Sequence, residues 1–246
     1  MKKTVLFAGK EYPAGSDFVA AAVSCGRNAV VTVPAAARAE AESGEFSKPG
    51  VRPAVWNKSS SVSARSVVLQ AENAFRSVEE AVLLFDTAWF APEFQKIGPE
   101  TCSRALDAMI AGYVYLSAEI IGRYVKKGGG TLVFALKEHP SFADLARTGA
   151  LRSEAALIPA GILCATAAGA FAALAENTAA GYADSDTVRI LLARSERGVS
   201  DAAFAEWLFP YLDAWIASKP KSDAKRAAQW VKFGAKPPAG FTLFRK

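Results

Sequence analysis

Short apolar runs alternate with amphipathic stretches along almost the whole chain. Thr4-Val5-Leu6-Phe7-Ala8 is an apolar, β-rich run, and Phe18, Val19, Ala22 and Val23 recur behind it at helical spacing, so the segment reads as strand, turn and helix. Residues 29–33 predict a second strand, followed by an Ala-rich helix over about 35–42. A loop with Gly44, Ser47, Pro49, Gly50 and Pro53 leads to a third strand, Ala54-Val55-Trp56. Ser59 to Ser61 would cap the next helix, which carries Val62, Val67, Leu69 and Phe75. Residues 80–85 then form an unbroken apolar run ending at Asp86, the habit of a strand buried on both faces.

The second half keeps the alternation. A long helix is expected over 102–127, closed by Gly128-Gly129-Gly130. A fifth strand follows at 131–136, a second long helix at about 159–180 and a sixth strand at 187–193. A Trp- and Phe-rich helix over 200–218, a shorter basic helix near 224–231 and a closing strand at 241–244 complete the pattern. Strand and helix in this order favour a Rossmann-like α/β fold: a doubly wound parallel sheet of about seven strands with helices on both faces.

Length and composition fit that reading. With 246 residues, 51% of them hydrophobic, the chain can bury one large core, and we expect a single domain over 1–246. The apolar run after Met1-Lys2-Lys3 ends at Gly9, before Lys10-Glu11, which is too short for a signal peptide. The apolar stretch over 155–175 is rich in Ala and Gly and interrupted by Pro159, a composition for a buried helix and not for a bilayer span. A cytoplasmic protein without membrane partners is therefore expected. Cys25, Cys102 and Cys164 have no close pairing and read as reduced thiols. With His139 the only histidine, no metal site is expected.

The formal charge of +5 is concentrated at one end. Lys219, Lys221, Lys225, Arg226, Lys232, Lys236, Arg245 and Lys246 stand against Asp223, which places +7 on segment 219–246 and about −2 on the remainder. No aromatic-basic repeat or recognition motif accompanies this segment, so a solvated face is expected and nucleic acid is not.

Candidate chemistry begins at the first turn, Ala8-Gly9-Lys10-Glu11-Tyr12-Pro13-Ala14-Gly15. Gly9 and Gly15 permit a tight turn, and amides opening the helix at Ser16 would face an anion. Pro13 supplies no N–H and crowds the approach of a phosphate. The residues leave two readings open, a phosphate cradle or a plain strand-to-helix connection.

Together these stretches resemble the short-chain dehydrogenase/reductases over nearly the whole chain. The family's TGxxxGxG turn falls on Ala8-Gly9 through Gly15, and its NNAG stretch on Phe85-Asp86-Thr87-Ala88. Asp107-Ala108-Met109-Ile110-Ala111-Gly112 matches its DxNxxG segment with Met109 for asparagine. Gly128-Gly129-Gly130-Thr131-Leu132-Val133 and Val188-Arg189-Ile190-Leu191-Leu192 match its fifth and sixth strands.

The resemblance implies a nicotinamide cofactor held by Gly9, Tyr12, Gly15, Arg38, Asn57 and Asp86. The second strand ends in Val33-Pro34-Ala35 without the acidic residue that meets the ribose in NAD-preferring members. That implies NADP, with Arg38 or Arg27 at the 2′-phosphate, if a dinucleotide binds at all. The catalytic positions depart from the family: Leu136-Lys137-Glu138-His139 replaces the serine, Cys164 the tyrosine and Ala168 the lysine. In such enzymes the tyrosine moves the proton and the lysine lowers its pKa. Cys164 in an Ala-rich helix has nothing cationic one turn away and reads as packing. The candidates for substitute chemistry are Lys137, His139 and Cys164, and the default is none.

The residues thus imply a short-chain-dehydrogenase-like pseudoenzyme without standard dehydrogenase activity, serving as a nucleotide-binding or interaction scaffold. An NADP-dependent oxidoreductase with a non-standard site is the alternative. The family pairs its two long helices between subunits, which implies a homodimer or homotetramer through 102–127 and 159–180.

Overall fold

The computed structural model describes residues 2–44, 48–150, 160–218 and 227–238. Its centre is a seven-stranded, all-parallel sheet built from β1 (Thr4–Ala8), β2 (Asn28–Pro34), β3 (Val51–Trp56), β4 (Glu80–Asp86), β5 (Gly130–Lys137), β6 (Val188–Ser195) and β7 (Val231–Lys232). The strand order is β3-β2-β1-β4-β5-β6-β7, which is the Rossmann-like arrangement expected from the chain. The order reverses between β1 and β4, so a crevice opens there at the carboxyl ends of the strands.

The central strands β1, β4 and β5 bury both of their faces because helices cover the sheet on both sides. Val5 and Phe7 of β1, Val82 and Leu84 of β4, and Val133 and Ala135 of β5 join one core with Phe18 and Val19 of α1 (Ser16–Ser24) and Phe204, Leu208 and Phe209 of α9 (Asp201–Ser218). The alternate residues Leu6, Leu83, Phe85, Leu132 and Phe134 join a second core. There they meet α3 (Ser61–Phe75), α6 (Gly112–Lys127) and α8 (Ile162–Gly181). The shorter helices are α2 (Arg38–Ser43), α4 (Thr87–Phe90), α5 (Pro99–Leu106) and α7 (Phe142–Arg147).

Three elements differ from the sequence expectation, each for a physical reason. The third strand begins at Val51 and includes Pro53; β3 is the sheet edge, where a missing N–H breaks no ladder on the open side. The long helix expected over 102–127 starts at Pro99, whose lack of an N–H suits a first turn, and passes through a π-helical stretch at Asp107–Ala111. Residues expected to end a basic helix near 231 instead form β7. Phe233 packs edge-on against Phe204 and Trp207, and the Trp207 indole N–H donates to the Ala235 carbonyl at 3.1 Å. These contacts draw the segment onto β6. The closing strand expected at 241–244, the start of the basic helix at 224–226 and most of the basic segment lie outside the described residues.

At the amino ends of the strands, Arg27 is 2% exposed and its guanidinium binds Glu80 at 2.5 Å and Asp213 at 2.7 Å. This corrects its expected place near a 2′-phosphate. Arg27 precedes β2 and Glu80 opens β4, so it belongs to the edge opposite the crevice. There it ties the far end of α9 to the sheet.

Candidate functional site

The crevice between β1 and β4 is where sequence reasoning places a ligand, and the residues around it are paired with one another. Gly9 follows β1 at φ +119°, and a Cβ there would stand 1.9 Å from the Leu84 carbonyl oxygen. The glycine therefore lets β1 turn directly against β4. A Cβ on Gly15 would meet the Lys10 carbonyl oxygen at 2.3 Å. Both glycines are required by the protein's own backbone. Three of the turn's amides are also committed: Tyr12 N–H donates to Thr32 O at 3.0 Å, Gly15 N–H to Glu11 O at 3.2 Å and Ser16 N–H to Pro13 O at 3.0 Å.

Beyond the turn, four charged side chains converge from distant elements. The Lys10 ammonium donates to Asp86 Oδ2 at 2.9 Å and to Asp201 Oδ2 at 2.5 Å. The Lys137 ammonium donates to Asp201 Oδ1 and lies 3.7 Å from Asp86 Oδ2. Asp86 ends β4 and pairs in register with Lys137 at the end of β5, while Asp201 opens α9. Asp86 also accepts at Oδ1 from the amides of Ala88 and Trp89, capping α4. The side chains are only 4–14% exposed, so their charges are carried in a poorly hydrated place and depend on each other.

The electrostatics follow the geometry. Burial works against the charge on Lys10, but hydrogen bonding to Asp201 and Asp86 outweighs it and raises the ammonium pKa. Burial likewise opposes the Asp201 carboxylate, and hydrogen bonds from Lys10 and Lys137 outweigh it and hold its pKa low. The Lys10 ammonium also lies 5.3 Å from the centre of the Trp89 ring.

A second bridge crosses the crevice on its β3 side. Lys58, just after β3, pairs with Glu11 of the first turn, both about 13–15% exposed. Its ammonium lies 5.2 Å from the ring centres of both Trp56 and Phe90. Below, Tyr113 donates its hydroxyl to the Leu84 carbonyl at 2.7 Å and packs on Trp56, Phe85 and Phe171. Burial, then Glu11 and Asp86, pushes this phenol well above its usual range.

The expected site residues are distributed as follows. Gly9, Tyr12, Gly15 and Asp86 border the crevice between β1 and β4, and Lys137 joins Asp86 through the lysine–aspartate cluster. Arg38 is exposed at the start of α2, and Asn57 is exposed beyond β3 with its Oδ1 accepting from Ser59 N–H at 3.1 Å and Ser59 Oγ–H at 2.8 Å. His139 is half-buried two residues beyond β5. Cys164 is fully buried in the core on the α3, α6 and α8 face, and burial, then Glu93, raises its thiol pKa to about 11. A thiol held in its protonated form in this way is a weak nucleophile near neutral pH. Sequence patterning alone does not mark Lys10, Glu11, Lys58 and Asp201 as site residues. Their signal is charge placed at turns after strands, which becomes a pattern only once the strand order is known.

An NADP pyrophosphate would require free amides and cations at the turn between β1 and α1. Here the turn's amides at Tyr12, Gly15 and Ser16 and its lysine already have internal partners, so the described residues do not fit the dinucleotide as they stand.

Comparison with known structures places the architecture. The fold is that of the short-chain dehydrogenases. A short chain dehydrogenase from Mycobacterium smegmatis superposes with a TM-score of 0.63 at 13% identity, covering 96% of this chain and 92% of the other. A gluconate 5-dehydrogenase from Burkholderia cenocepacia J2315, in complex with NADP and tartrate, superposes with a TM-score of 0.56 at 15% identity, covering 94% of each chain. No family model matches the sequence. An uncharacterized protein of Treponema pallidum (strain Nichols) is 25% identical over 181 residues, which is 73% of this chain and 74% of that one.

Proposed function

We propose that this protein is a non-catalytic relative of the short-chain dehydrogenases that keeps their fold as an interaction scaffold and performs no standard hydride transfer. The observation that carries this reading is the Lys10–Asp86–Lys137–Asp201 cluster at the crevice, with the Glu11–Lys58 bridge beside it. A dinucleotide entering there would have to break ion pairs that are largely shielded from water, leaving uncompensated charge behind. The replaced catalytic positions agree: Cys164 is a core thiol, and Lys137 is engaged with Asp201 and not with a phenol.

The scaffold reading includes assembly. We propose a homodimer or homotetramer through the face formed by α6 and α8, and a cytoplasmic location without membrane or nucleic-acid partners. In support, Val114, Tyr115, Val125 and Ile162 leave apolar surface exposed on these two helices. Both α5–α6 (residues 99–127) and α8 are apolar and long enough to cross a bilayer by composition, yet each packs a face into the sheet core.

Titration of the protein with NADPH, followed by nucleotide fluorescence, tests the central claim. No saturable enhancement is expected at concentrations up to about a hundredfold above the micromolar affinities usual for enzyme ligands. Micromolar binding, or carbonyl reduction that disappears in Lys137→Ala, would favour the oxidoreductase reading instead.

A further inference from the structure

We propose that Lys10 and Lys137 form a latent binding site for a phosphoryl group, and that the Asp201 carboxylate is its built-in occupant. The inference rests on the reading that the crevice is closed by internal ion pairs, and it concerns what that closure conceals. The two carboxylates of the cluster are not equivalent. Asp86 spends Oδ1 on the amides of Ala88 and Trp89 and is fixed by the helix that it caps. Asp201 gives one oxygen to each lysine, Oδ2 to Lys10 and Oδ1 to Lys137. It bridges the two ammonium groups as an oxyanion ligand would.

The surroundings favour an anion with more than two oxygens. Thr87 Oγ1, next to Asp86, and Ser195 Oγ, the register neighbour of Lys137 on β6, are buried hydroxyls with no hydrogen-bond partner among the described residues. Thr87 is 2% and Ser195 1% exposed. A buried hydroxyl without a partner is costly, and these two stand beside Asp86 in the chain and beside Lys137 in the sheet, so an anion with more oxygens than a carboxylate would offer them acceptors. The N-terminus of the eighteen-residue α9 opens at the same place, and its partial positive charge adds to the field. Displacement requires that the Asp201 side chain rotate toward solvent at the first turn of α9, since among the described residues its carboxylate is held by the two lysines.

Binding of inorganic pyrophosphate, compared with inorganic phosphate, tests this by isothermal titration at fixed ionic strength and pH 7.5. In the wild-type protein, pyrophosphate is expected to bind only at millimolar concentration, and Lys137→Met should abolish that binding. In Asp201→Asn the affinity should rise at least tenfold, and the double variant Asp201→Asn/Lys137→Met should lose the gain. Tighter binding of pyrophosphate than of phosphate would indicate room for two groups, and equal affinity a site for one. Equal affinities of wild type and Asp201→Asn, or a gain that survives loss of Lys137, would overturn the proposal. If Asp201→Asn fails to fold, the wild-type comparison decides: binding that Lys137→Met leaves unchanged, or no binding at all, counts against the site. NADPH binding by the wild-type protein would refute the scaffold reading, while the pyrophosphate comparison would still judge the latent site.

Discussion

At Gly9 the backbone and the site meet in one residue. Its φ of +119° disfavours a side chain, and a Cβ would stand 1.9 Å from the Leu84 carbonyl oxygen and 2.8 Å from the Tyr113 hydroxyl. Gly9→Ala should therefore push β1 off β4, with a loss of about 3 kcal/mol or more by analogy with strained and overpacked sites, read by urea denaturation. Tyr113→Phe deletes only the hydroxyl that bonds Leu84 and should cost about 1–2 kcal/mol. A loss for Gly9→Ala no larger than for Tyr113→Phe would contradict the packing role of the glycine. Cys164 gives a chemical test at the same scale. Its thiol is buried with a pKa of about 11, while Cys25 is exposed. A thiol-specific disulfide reagent at pH 8 should modify Cys25 in the folded protein and reach Cys164 only in denaturant. The packing role of Cys164 was legible because its helix is built of small apolar residues. Lys10 was not, because its partners are 76 and 191 residues away in sequence.

Elements were legible where periodicity decided them and illegible where tertiary contact did. The buried strands β1, β4 and β5 lie close to their expected positions because unbroken apolar runs bounded by glycine or charge have few alternatives. Val231 and Lys232 carry no such signal; they are a strand because Phe233 finds the aromatic face of α9. The attachment of α9 itself has a pH signature. Asp201, the first residue of that helix, has a folded-state pKa below its ordinary value of 3.8. A carboxyl of this kind contributes stability above its unfolded pKa, and the contribution fades as pH falls through the folded value. Lys10 is raised above 10.5, so its contribution is complete below that pH and fades as pH rises through the folded value. Between these limits the cluster's contribution should be flat. Asp201→Asn should be less stable than wild type by about 2–4 kcal/mol across pH 5–9, and the gap should narrow below pH 3.8. Paired urea titrations at pH 3, 5, 7 and 9 measure it. A gap that widens toward pH 3 would mean that Asp201 is not held as an ion by its lysines.

For the whole molecule, the remaining question is what covers the face of α6 and α8 that the sheet does not. A groove of about 700 Å³ runs between the two helices, lined by Val114, Ala118, Ile121, Val125 and Leu174 among others. Val114 and Val125 in its lining are 41% and 51% exposed, and Leu106 of α5 and Ile162 at the start of α8 are 56% and 62% exposed. Small residues on α8 allow another helix to approach closely, and a two-fold axis would let one such face bury its equal. Gly169 is the useful probe. It is exposed on α8, and a Cβ added there meets nothing within 4 Å among the described residues, so Gly169→Arg should leave the fold of one chain almost untouched. Its loss of stability should stay within about 0.5 kcal/mol, as for ordinary surface substitutions. An interface through α8 would instead have to accommodate an arginine at a close helix contact. Light scattering on size-separated protein at micromolar concentration is therefore expected to give a dimer or tetramer for wild type and a monomer for Gly169→Arg, with unchanged circular dichroism. A wild-type monomer, or an oligomer that Gly169→Arg leaves intact, would mean that these helices cover only their own sheet.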